Sequence, residues 1–485
     1  MNKNIEGLNP QRLWYHFSQI LKSPHPSNHE EAIREYIINF ATSQGLEYEV
    51  DSEDNIYIRK AATPGMERCQ GIIVQSHVDM VPQKSLGSDF DFEKDAIQAY
   101  IDGEWVKADG TTLGADNGIG VAAMLALLED NTIKHGAIEA LFTATEEVGL
   151  RGAMGIKRGA LKGDILLNLD SEREGELCVG CAGGVDLTAE FELELLPTPK
   201  KGYQACRIDV SGLKGGHSGV DIVLQRGNAN KILFRLLRSS DLDLQLSSVD
   251  GGGLRNAIPR EASAVVVLPC EDVDVLRDEV ALFQQVINRE YVDIEDYISV
   301  TISDVEMPKK MIDEDISSCI VWAIAACFDG VAKFSTTMHG LVQSSSNLAR
   351  VVSKGDTLTV KALLRSSSQS EKDALAQQIT STFELADADV TLSSDYDGWS
   401  PNLDSEILSS MKTYYKELFG VEPHIKAIHA GLECGVILAK YPKLDMISFG
   451  PTILYPHSPD ERVDIESVEK FYKLLLHTVE NVATK

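Results

Sequence analysis

The chain has 485 residues, of which 43% are hydrophobic and 25% are charged, and its formal net charge is −29. This length predicts more than one domain, each with a substantial core. The acidic charge argues against a nucleic-acid-binding protein, which needs a basic stripe. No apolar run is long enough to span a bilayer, and the first residues, MNKNIEGLNPQ, lack the apolar core of a signal peptide. We therefore expect no nucleic-acid or membrane partner.

Eight cysteines are scattered along the chain, and only Cys178 and Cys181 form a C-x-x-C pair. Because this pair has no matching second pair, we interpret the two as free thiols rather than as a zinc knuckle or a redox site. Together with the missing signal peptide, this pattern predicts a reduced, cytoplasmic protein.

The N-terminal part begins with helical periodicity over residues 10–21, and Ser27 is predicted as the N-cap of a second helix. Residues 47–59 are typical of a strand pair. The stretch GIIVQSHVDM at 71–80 predicts a buried strand that ends in His77 and Asp79, two residues apart and hence on one side. Such a pair can bind a metal or let one residue orient the other, although an isolated H-x-D is more often an ordinary surface pair.

The next stretches repeat this pattern of an apolar run followed by a metal-ligand type of residue. A loop and hairpin is predicted at 85–110, and an amphipathic helix follows Asp116, which is either its N-cap or a ligand. The nearby glycines match neither G-x-G-x-x-G nor a Walker sequence, which disfavours nucleotide binding. Apolar runs at 138–144 and 164–169 end in Glu146–Glu147 and Asp170, and the run at 446–449 precedes a loop with His457.

Alternating strands and helices predict a largely parallel sheet, and ligands of such sheets bind at the carboxyl ends of the strands. Each candidate alone is more often structural, but their shared position predicts one site. The set comprises His77, Asp79, Asp116, Glu146, Glu147, Asp170 and His457.

The middle segment predicts an α+β insertion at 188–397 that divides a catalytic domain into parts at 1–187 and 398–485. The glycine-rich stretch G-L-K-G-G-H-S-G places His217 in a loop, where a functional and a structural role stay equally open. Asn256 lies in a polar turn and Arg365 ends a strand, so a turn role and a solvated arginine are the ordinary interpretations.

The candidate residues suit a pair of metal ions about 3.5–4 Å apart, with Asp116 as the bridge. His77 and Asp170 would complete one subsite, and Glu147 and His457 the other. Mixed histidine and carboxylate ligands suit zinc, with manganese or cobalt as substitutes. Two residues then remain for other roles: Glu146 is suited to take a proton from water, and Asp79 to fix the tautomer of His77. The predicted reaction is metal-assisted amide hydrolysis.

Several motifs resemble those of the M20 metallopeptidase family, in order and over nearly the whole chain. They are S-H-V-D-M-V-P at 76–82, L-G-A-D-N-G-I-G at 113–120, T-E-E at 145–147, N-L-D-S-E at 168–172 and G-P-T-I-x-x-P-H-S-P-D-E at 450–461. The resemblance implies an α/β fold: a zinc-peptidase-like catalytic domain with a mostly parallel central sheet, plus an inserted α+β lid domain. It also implies two zinc ions with the ligand roles given above.

Three further motifs, at 212–219, 254–262 and 428–435, are similar to those of the family members that cleave Xaa-His dipeptides. This similarity implies that His217 stabilises the oxyanion from the lid, in its own subunit or in a partner's. It implies substrate contacts from Asn256, Arg365 and the stretch from His429 to Gly435, and a cis peptide after Asp116.

The implied substrates are small Xaa-His dipeptides, including β-alanyl-histidine. A broader aminopeptidase or an N-acyl amino acid deacylase on the same metal core is the alternative. Residues 343–349 depart from the family's Thr-Ser-x-Asn pattern, which leaves the dipeptide preference open. The native metal and the choice between a monomer and a homodimer stay open as well.

Overall fold

The computed structural model describes residues 2–481, apart from the side chain of residue 3. It divides into two compact units. Unit 1 comprises Met1–Gly180, Trp399–Ala427 and Leu432–Lys485, and unit 2 comprises Cys181–Gly398 and Ile428–Gly431. Within residues 2–481, no helix has both the length and the apolar composition needed to cross a membrane.

These divisions differ from the predicted domain boundaries by more than one residue in two places. The strand Gly183–Glu192, which the boundary after residue 187 would cut, pairs along its whole length within unit 2. Residues 428–431, predicted in the catalytic domain, lie in unit 2 because Ala182 N–H donates to the carbonyls of Ile428 and Ala430. Both are backbone pairings between distant segments, which local periodicity does not reveal.

The N-terminal part opens with a 3₁₀ turn and continues in alternating helices and strands. Its elements are Asn2–Gly7 (3₁₀), α1 Gln11–Ile20, α2 Glu31–Gln44, β1 Glu47–Val50, β2 Ile56–Lys60, β3 Ile72–His77, β4 Ala99–Asp102, β5 Trp105–Ala108, α3 Ala115–Glu129, β6 Ile138–Thr143, α4 Arg151–Gly155, β7 Ile165–Asn168 and β8 Glu176–Cys181.

The middle part is richer in long strands. Its elements are β9 Gly183–Glu192, β10 Leu195–Pro197, β11 Tyr203–Ser211, β12 Gly216–His217, Ile222–Leu224 (3₁₀), α5 Ala229–Ser239, β13 Gln245–Gly252, β14 Ala257–Ile258, β15 Ala262–Pro269, Cys270–Asp272 (3₁₀), α6 Val273–Glu290, β16 Ser299–Val305, β17 Lys310–Ile312, α7 Glu314–Ala326, β18 Gly330–Phe334, β19 Val342–Lys354, β20 Thr357–Ser366, α8 Gln369–Glu384 and β21 Asp389–Tyr396.

The C-terminal part completes the fold with α9 Glu406–Phe419, β22 His424–Ile428, α10 Glu433–Lys440, β23 Asp445–Ser448, β24 Ile453–Leu454, β25 Arg462–Asp464 and α11 Ile465–Glu480. Several helices begin where a side chain accepts hydrogen bonds from free backbone N–H groups of the first turn. These N-caps are Asn228 for α5, Asp313 for α7, Ser405 for α9 and Asp464 for α11.

The eight-stranded sheet of unit 1 has the order β1-β2-β6-β3-β7-β23-β8-β22. Its four central strands, β6, β3, β7 and β23, run parallel, whereas β1, β2 and β8 are antiparallel to their neighbours. Strands β3, β6 and β7 are buried along their whole length, as expected for parallel strands covered on both faces. The predicted α/β fold with a mostly parallel sheet is confirmed, and the carboxyl ends of the central strands lie along one edge.

Unit 2 contains a nine-stranded antiparallel sheet with the order β16-β11-β15-β13-β19-β20-β9-β21, in which β18 also pairs with β19. Helices α5 to α8 pack against it in one continuous core, which includes Leu233, Ile287, Ile324 and Phe383, one from each helix. Unit 2 thus has the α+β organisation that the sequence predicts for the inserted segment.

Candidate metal centre

The central strands of unit 1 bring the predicted ligands to one edge of the sheet. His77 is the last residue of β3, and Asp170 follows β7 by two residues. Asp116 lies in the first turn of α3, and His457 lies in the loop between β24 and β25. The side chains lie close enough to hold a metal in three groups: His77–Asp116–Asp170, His77–Glu146–Glu147 and Asp116–Glu147–His457, with ligand atoms within 4.8 Å of one another.

Asp116 connects two of these groups through its two carboxylate oxygens. His77 Nε2 lies 3.2 Å from Asp116 Oδ1 and 3.2 Å from Asp170 Oδ1. On the other side, His457 Nε2 lies 3.2 Å from Asp116 Oδ2 and 2.9 Å from Glu147 Oε1. The two oxygens of Asp116 therefore face two different groups of potential ligands.

The site concentrates negative charge in a buried place. Burial raises the pKa of Glu146, Glu147 and Asp170, because a carboxylate out of water resists ionisation. Burial by itself lowers the pKa of His457, but the adjacent Asp116 and Glu147 outweigh it and raise the pKa to about 11. The carboxylates therefore demand positive charge, which protonated imidazoles or divalent cations can supply.

One buried oxygen supports cations as the partner. Glu147 Oε1 has no hydrogen-bond partner, although it lies only 2.9 Å from His457 Nε2. The contact is an ion pair when the imidazole is protonated, and a cation shared by the two atoms could take the place of that proton. A buried polar atom without a partner costs about 1–3 kcal/mol, and an ion would remove that cost. The donor set of imidazoles and carboxylates fits zinc.

Asp79 connects the two loops that carry the ligands. Its main-chain oxygen lies 3.0 Å and its Oδ1 3.4 Å from His77 Nδ1, so both can hold the ring. The carboxylate also accepts the N–H groups of Glu146, at 2.9 Å, and Glu147, at 3.2 Å. Its Oδ2 accepts a 2.8 Å hydrogen bond from Ser27 Oγ.

The last contact corrects the prediction for Ser27. Helix α2 begins at Glu31, with Glu30 at the N-cap position and no side-chain cap. The Ser27 hydroxyl instead satisfies the buried carboxylate of Asp79. A buried charge needs hydrogen bonds, and Ser27 supplies one of them to Asp79.

The turn after Asp116 also matches its prediction, because the Asp116–Asn117 peptide is cis. The side-chain amide of Asn117 donates to Asp170 Oδ1. Room for this amide comes from Gly120, where a Cβ atom would lie 2.0 Å from Asn117 Oδ1 and 2.4 Å from Ser76 Oγ.

The substrate-binding candidates lie mostly in unit 2. Strand β12 pairs His217 with Ala257, next to the exposed Asn256, whose carbonyl accepts the N–H of Ser218 at 2.8 Å. Gly435 lies in unit 1, inside α10, where its N–H donates to Leu432 O. The predicted substrate contacts of Asn256 and Gly435 stay predictions.

His217 is held in the tautomer that donates from Nε2. Its Nδ1 accepts the N–H groups of Gly219, at 3.2 Å, and Val220, at 3.1 Å. Burial, followed by the charge of Arg365, lowers the pKa of His217. The ring is therefore neutral near pH 7, and its Nε2–H is free to donate.

Arg365 and His429 lie beside the same loop: a Cβ atom on Gly219 would lie 3.3 Å from Arg365 Nε and 2.2 Å from the carbonyl of His429. Arg365 is buried, and within residues 2–481 it forms no ion pair with a carboxylate. Its Nη1 donates to Tyr396 Oη at 3.0 Å, whereas its Nε has no partner. His429 Nε2 lies 2.6 Å from Ser345 Oγ, and burial lowers the pKa of His429 to about 3. This cluster can accept an anion.

Residues 73–481 match the family described as peptidase family M20/M25/M40. The chain belongs to the M20 peptidase family. The predicted family is confirmed, and with it the predicted class of enzyme, a metal-dependent hydrolase of peptide bonds.

Two full-length relatives of this M20 peptidase are dipeptidases by name. The chain is 43% identical over 483 residues to the cytosol non-specific dipeptidase of Escherichia coli, covering 99% of both chains. A crystal structure of aminoacylhistidine dipeptidase from Vibrio alginolyticus matches with a TM-score of 0.92 and 44% identity, covering 99% of this chain and 98% of that one. The aminopeptidase PepT from Bacillus cereus, with a TM-score of 0.58 and 17% identity, shares the fold. The predicted resemblance to aminoacylhistidine dipeptidase is confirmed.

Sequence reasoning missed several residues around this M20 site. Glu433 is fully buried and accepts hydrogen bonds from Gln75 and Thr143, under the ends of β3 and β6. Glu461 accepts four backbone hydrogen bonds at the start of α3. Both lie within the motifs that resemble the family, but their partners are hundreds of residues away, so no local pattern assigns them a role.

Proposed function

We propose that this M20 peptidase is a dipeptidase with two divalent metal ions, most naturally zinc, and that it prefers Xaa-His dipeptides. The observation that carries this proposal is the arrangement around Asp116. Its two oxygens face two separate groups of ligands, His77 with Asp170 and Glu147 with His457. Manganese or cobalt would fit the same donors.

When bound, the ions would supply the positive charge that lowers the pKa of a water molecule towards neutrality and stabilises a developing oxyanion. The protein's own part begins with Glu146. This carboxylate lies at the site, and its N–H is fixed by Asp79. A carboxylate that is not needed as a ligand is suited to take a proton from water and to return it to the leaving amine.

Glu146 also lies within reach of His77 and Glu147. The roles of the two adjacent glutamates therefore need a direct test. In the proposal Glu147 is the ligand, because it alone of the pair joins the group that contains Asp116 and His457.

Unit 2 supports the recognition of a dipeptide. Arg365 has a buried guanidinium that forms no ion pair with any carboxylate of the described residues, which suits it to bind the free carboxylate of a substrate. His217 offers an Nε2–H, which suits it to donate to the oxyanion of the transition state, from its own subunit or from a partner's. Asn256, His429 and Gly435 are proposed as further substrate contacts on the resemblance alone.

The preference for histidine is the finer part of the proposal. The two full-length relatives have similar identities, yet one is named a non-specific dipeptidase and the other an aminoacylhistidine dipeptidase. A broader peptidase or an N-acyl amino acid deacylase is the alternative. The name of the E. coli relative also supports a cytoplasmic location for this chain.

A substrate panel tests the proposal. The protein, loaded with zinc or manganese, is assayed on β-alanyl-histidine, glycyl-histidine, alanyl-leucine, an N-acetyl amino acid and a histidine-containing dipeptide amide. The proposal expects the highest kcat/KM for the two histidine dipeptides and poor turnover of the amide. Equal rates on alanyl-leucine would support a non-specific dipeptidase, whereas turnover of only the N-acetyl compound would refute the dipeptidase assignment.

A further inference from the structure

We propose that Glu461 is a positioning residue that couples the two metal subsites, because it fixes the turn of Asp116 and the loop of His457 to each other. The inference rests on the proposed metal centre. According to this inference, the buried side chain of Glu461 controls the metal affinity of both ligand groups around Asp116.

The carboxylate of Glu461 accepts hydrogen bonds from four consecutive backbone N–H groups. Oε2 accepts those of Leu113, at 2.7 Å, and Gly114, at 2.9 Å. Oε1 accepts those of Ala115, at 2.8 Å, and Asp116, at 3.2 Å. The N–H groups of Ala115 and Asp116 belong to the first turn of α3, where backbone N–H groups have no partner within the helix. Because the side chain is only 2% exposed, water cannot replace it in this role.

The backbone of Glu461 belongs to the loop that carries the other ligand, His457. His457 and Glu461 share the loop between β24 and β25, and Glu461 N–H donates to Ser458 O at 3.0 Å. His457 has a φ of 58°, a left-handed conformation that is uncommon for residues other than glycine. Strand β25 pairs with β5, which anchors the loop on its far side. The side chain of Glu461 thus joins this loop to the turn of Asp116, which lies 345 residues away from it in the sequence.

The consequence for both subsites follows from the position of Asp116. Its Oδ1 faces His77 and its Oδ2 faces His457. A shift of the turn would therefore move a ligand of each group, whereas a shift of Asp170 would affect only one. Residues that orient metal ligands typically contribute about 10- to 100-fold to metal affinity.

The test compares Glu461→Gln with a matched control. Glutamine keeps the size of the side chain, but its NH₂ group would face two N–H donors. Glu139→Gln is the control, because the buried Glu139 Oε2 likewise accepts two backbone N–H groups, those of Lys162 and Gly163, at 2.6 and 2.7 Å. Glu139 lies near the amino end of β6, away from the edge that carries the ligands.

Metal-free proteins are titrated with Zn²⁺ against a competing chelator, and the affinity of each equivalent is measured. We expect Glu461→Gln to weaken both equivalents by about 10- to 100-fold and Glu139→Gln to leave both unchanged. Wild-type affinity in Glu461→Gln, or equal weakening in the control, would overturn the proposal. If Glu461→Gln does not fold, Glu461→Asp, which retains the charge on a shorter side chain, must show the same double weakening. If the wild type binds no zinc, the proposed metal centre fails, which is a separate result.

Discussion

Gly120 lies where α3 approaches the end of β3. Its replacement by alanine tests whether close packing between α3 and β3 is needed to position the metal ligands. The new Cβ atom would lie 2.0 Å from Asn117 Oδ1 and 2.4 Å from Ser76 Oγ. Both neighbours are buried. Either α3 shifts away from β3, or the Asn117 amide leaves Asp170 Oδ1, to which it donates.

The expected cost combines three effects. Overpacking a core typically costs about 1–3 kcal/mol, and a buried amide that loses its hydrogen bond costs about 1–3 kcal/mol more. The higher helix propensity of alanine offsets about 1 kcal/mol of this loss of stability. We therefore expect Gly120→Ala to lower the free energy of unfolding by about 1–5 kcal/mol and to weaken metal binding through Asp170.

Gly118→Ala is the matched control in the same helix. Its Cβ atom would lie 3.1 Å from Cε2 of the Phe17 ring, a contact that a small movement relieves. Urea unfolding of metal-free protein gives the stability, and titration with Zn²⁺ gives the affinity. If Gly120→Ala matches the wild type in both measurements, or if the two variants behave alike, the packing argument is wrong.

Four further predictions concern catalysis and pH. Glu146→Gln should retain both metals and lose about 10²–10⁴-fold in kcat, whereas metal analysis showing a lost ion would mean that Glu146 is a ligand. His217→Ala should lower kcat about 10²–10³-fold, as for one oxyanion donor, and an unchanged kcat would refute that role. Arg365→Ala should raise KM for dipeptides but not for their C-terminal amides, and an equal effect on both would exclude a carboxylate contact. Burial lowers the pKa of His16 from 6.5 to about 4, so stability should fall as the pH drops from 6.5 towards 4, by up to about 3 kcal/mol. Urea unfolding of His16→Gln should show a flatter pH dependence, and an unchanged profile would contradict this.

The parts of the site that sequence predicts are those that local patterns encode. His77, Glu146 and Asp170 each follow an apolar run of β type, and the parallel pairing of β3, β6 and β7 brings them to one edge. Each apolar run predicts its own strand. The rule that parallel sheets bind ligands at the carboxyl ends of their strands then predicts that these residues share one edge.

The parts that sequence does not predict depend on contacts between distant residues. Ser27 is a residue type that commonly caps helices, but its hydroxyl donates a hydrogen bond to Asp79 instead. Glu461, near the C-terminal end of the chain, accepts hydrogen bonds from the backbone at the start of α3. The predicted boundary after residue 187 differs from the start of unit 2 at Cys181, because β9 opens with Gly183 and Gly184, which carry no apolar alternation. Hydrogen bonds of buried carboxylates have no period along the sequence, so only the folded structure reveals them.

Metal content measured together with activity tests the central claim most directly. The protein is stripped with a chelator, titrated with Zn²⁺ or Mn²⁺, and assayed on an Xaa-His dipeptide at each step. The proposed centre predicts an inactive metal-free protein whose activity rises and then levels off at two ions per chain. Activity that survives complete removal of the metal, or a protein that binds no ion at the ligands around Asp116, would contradict the account.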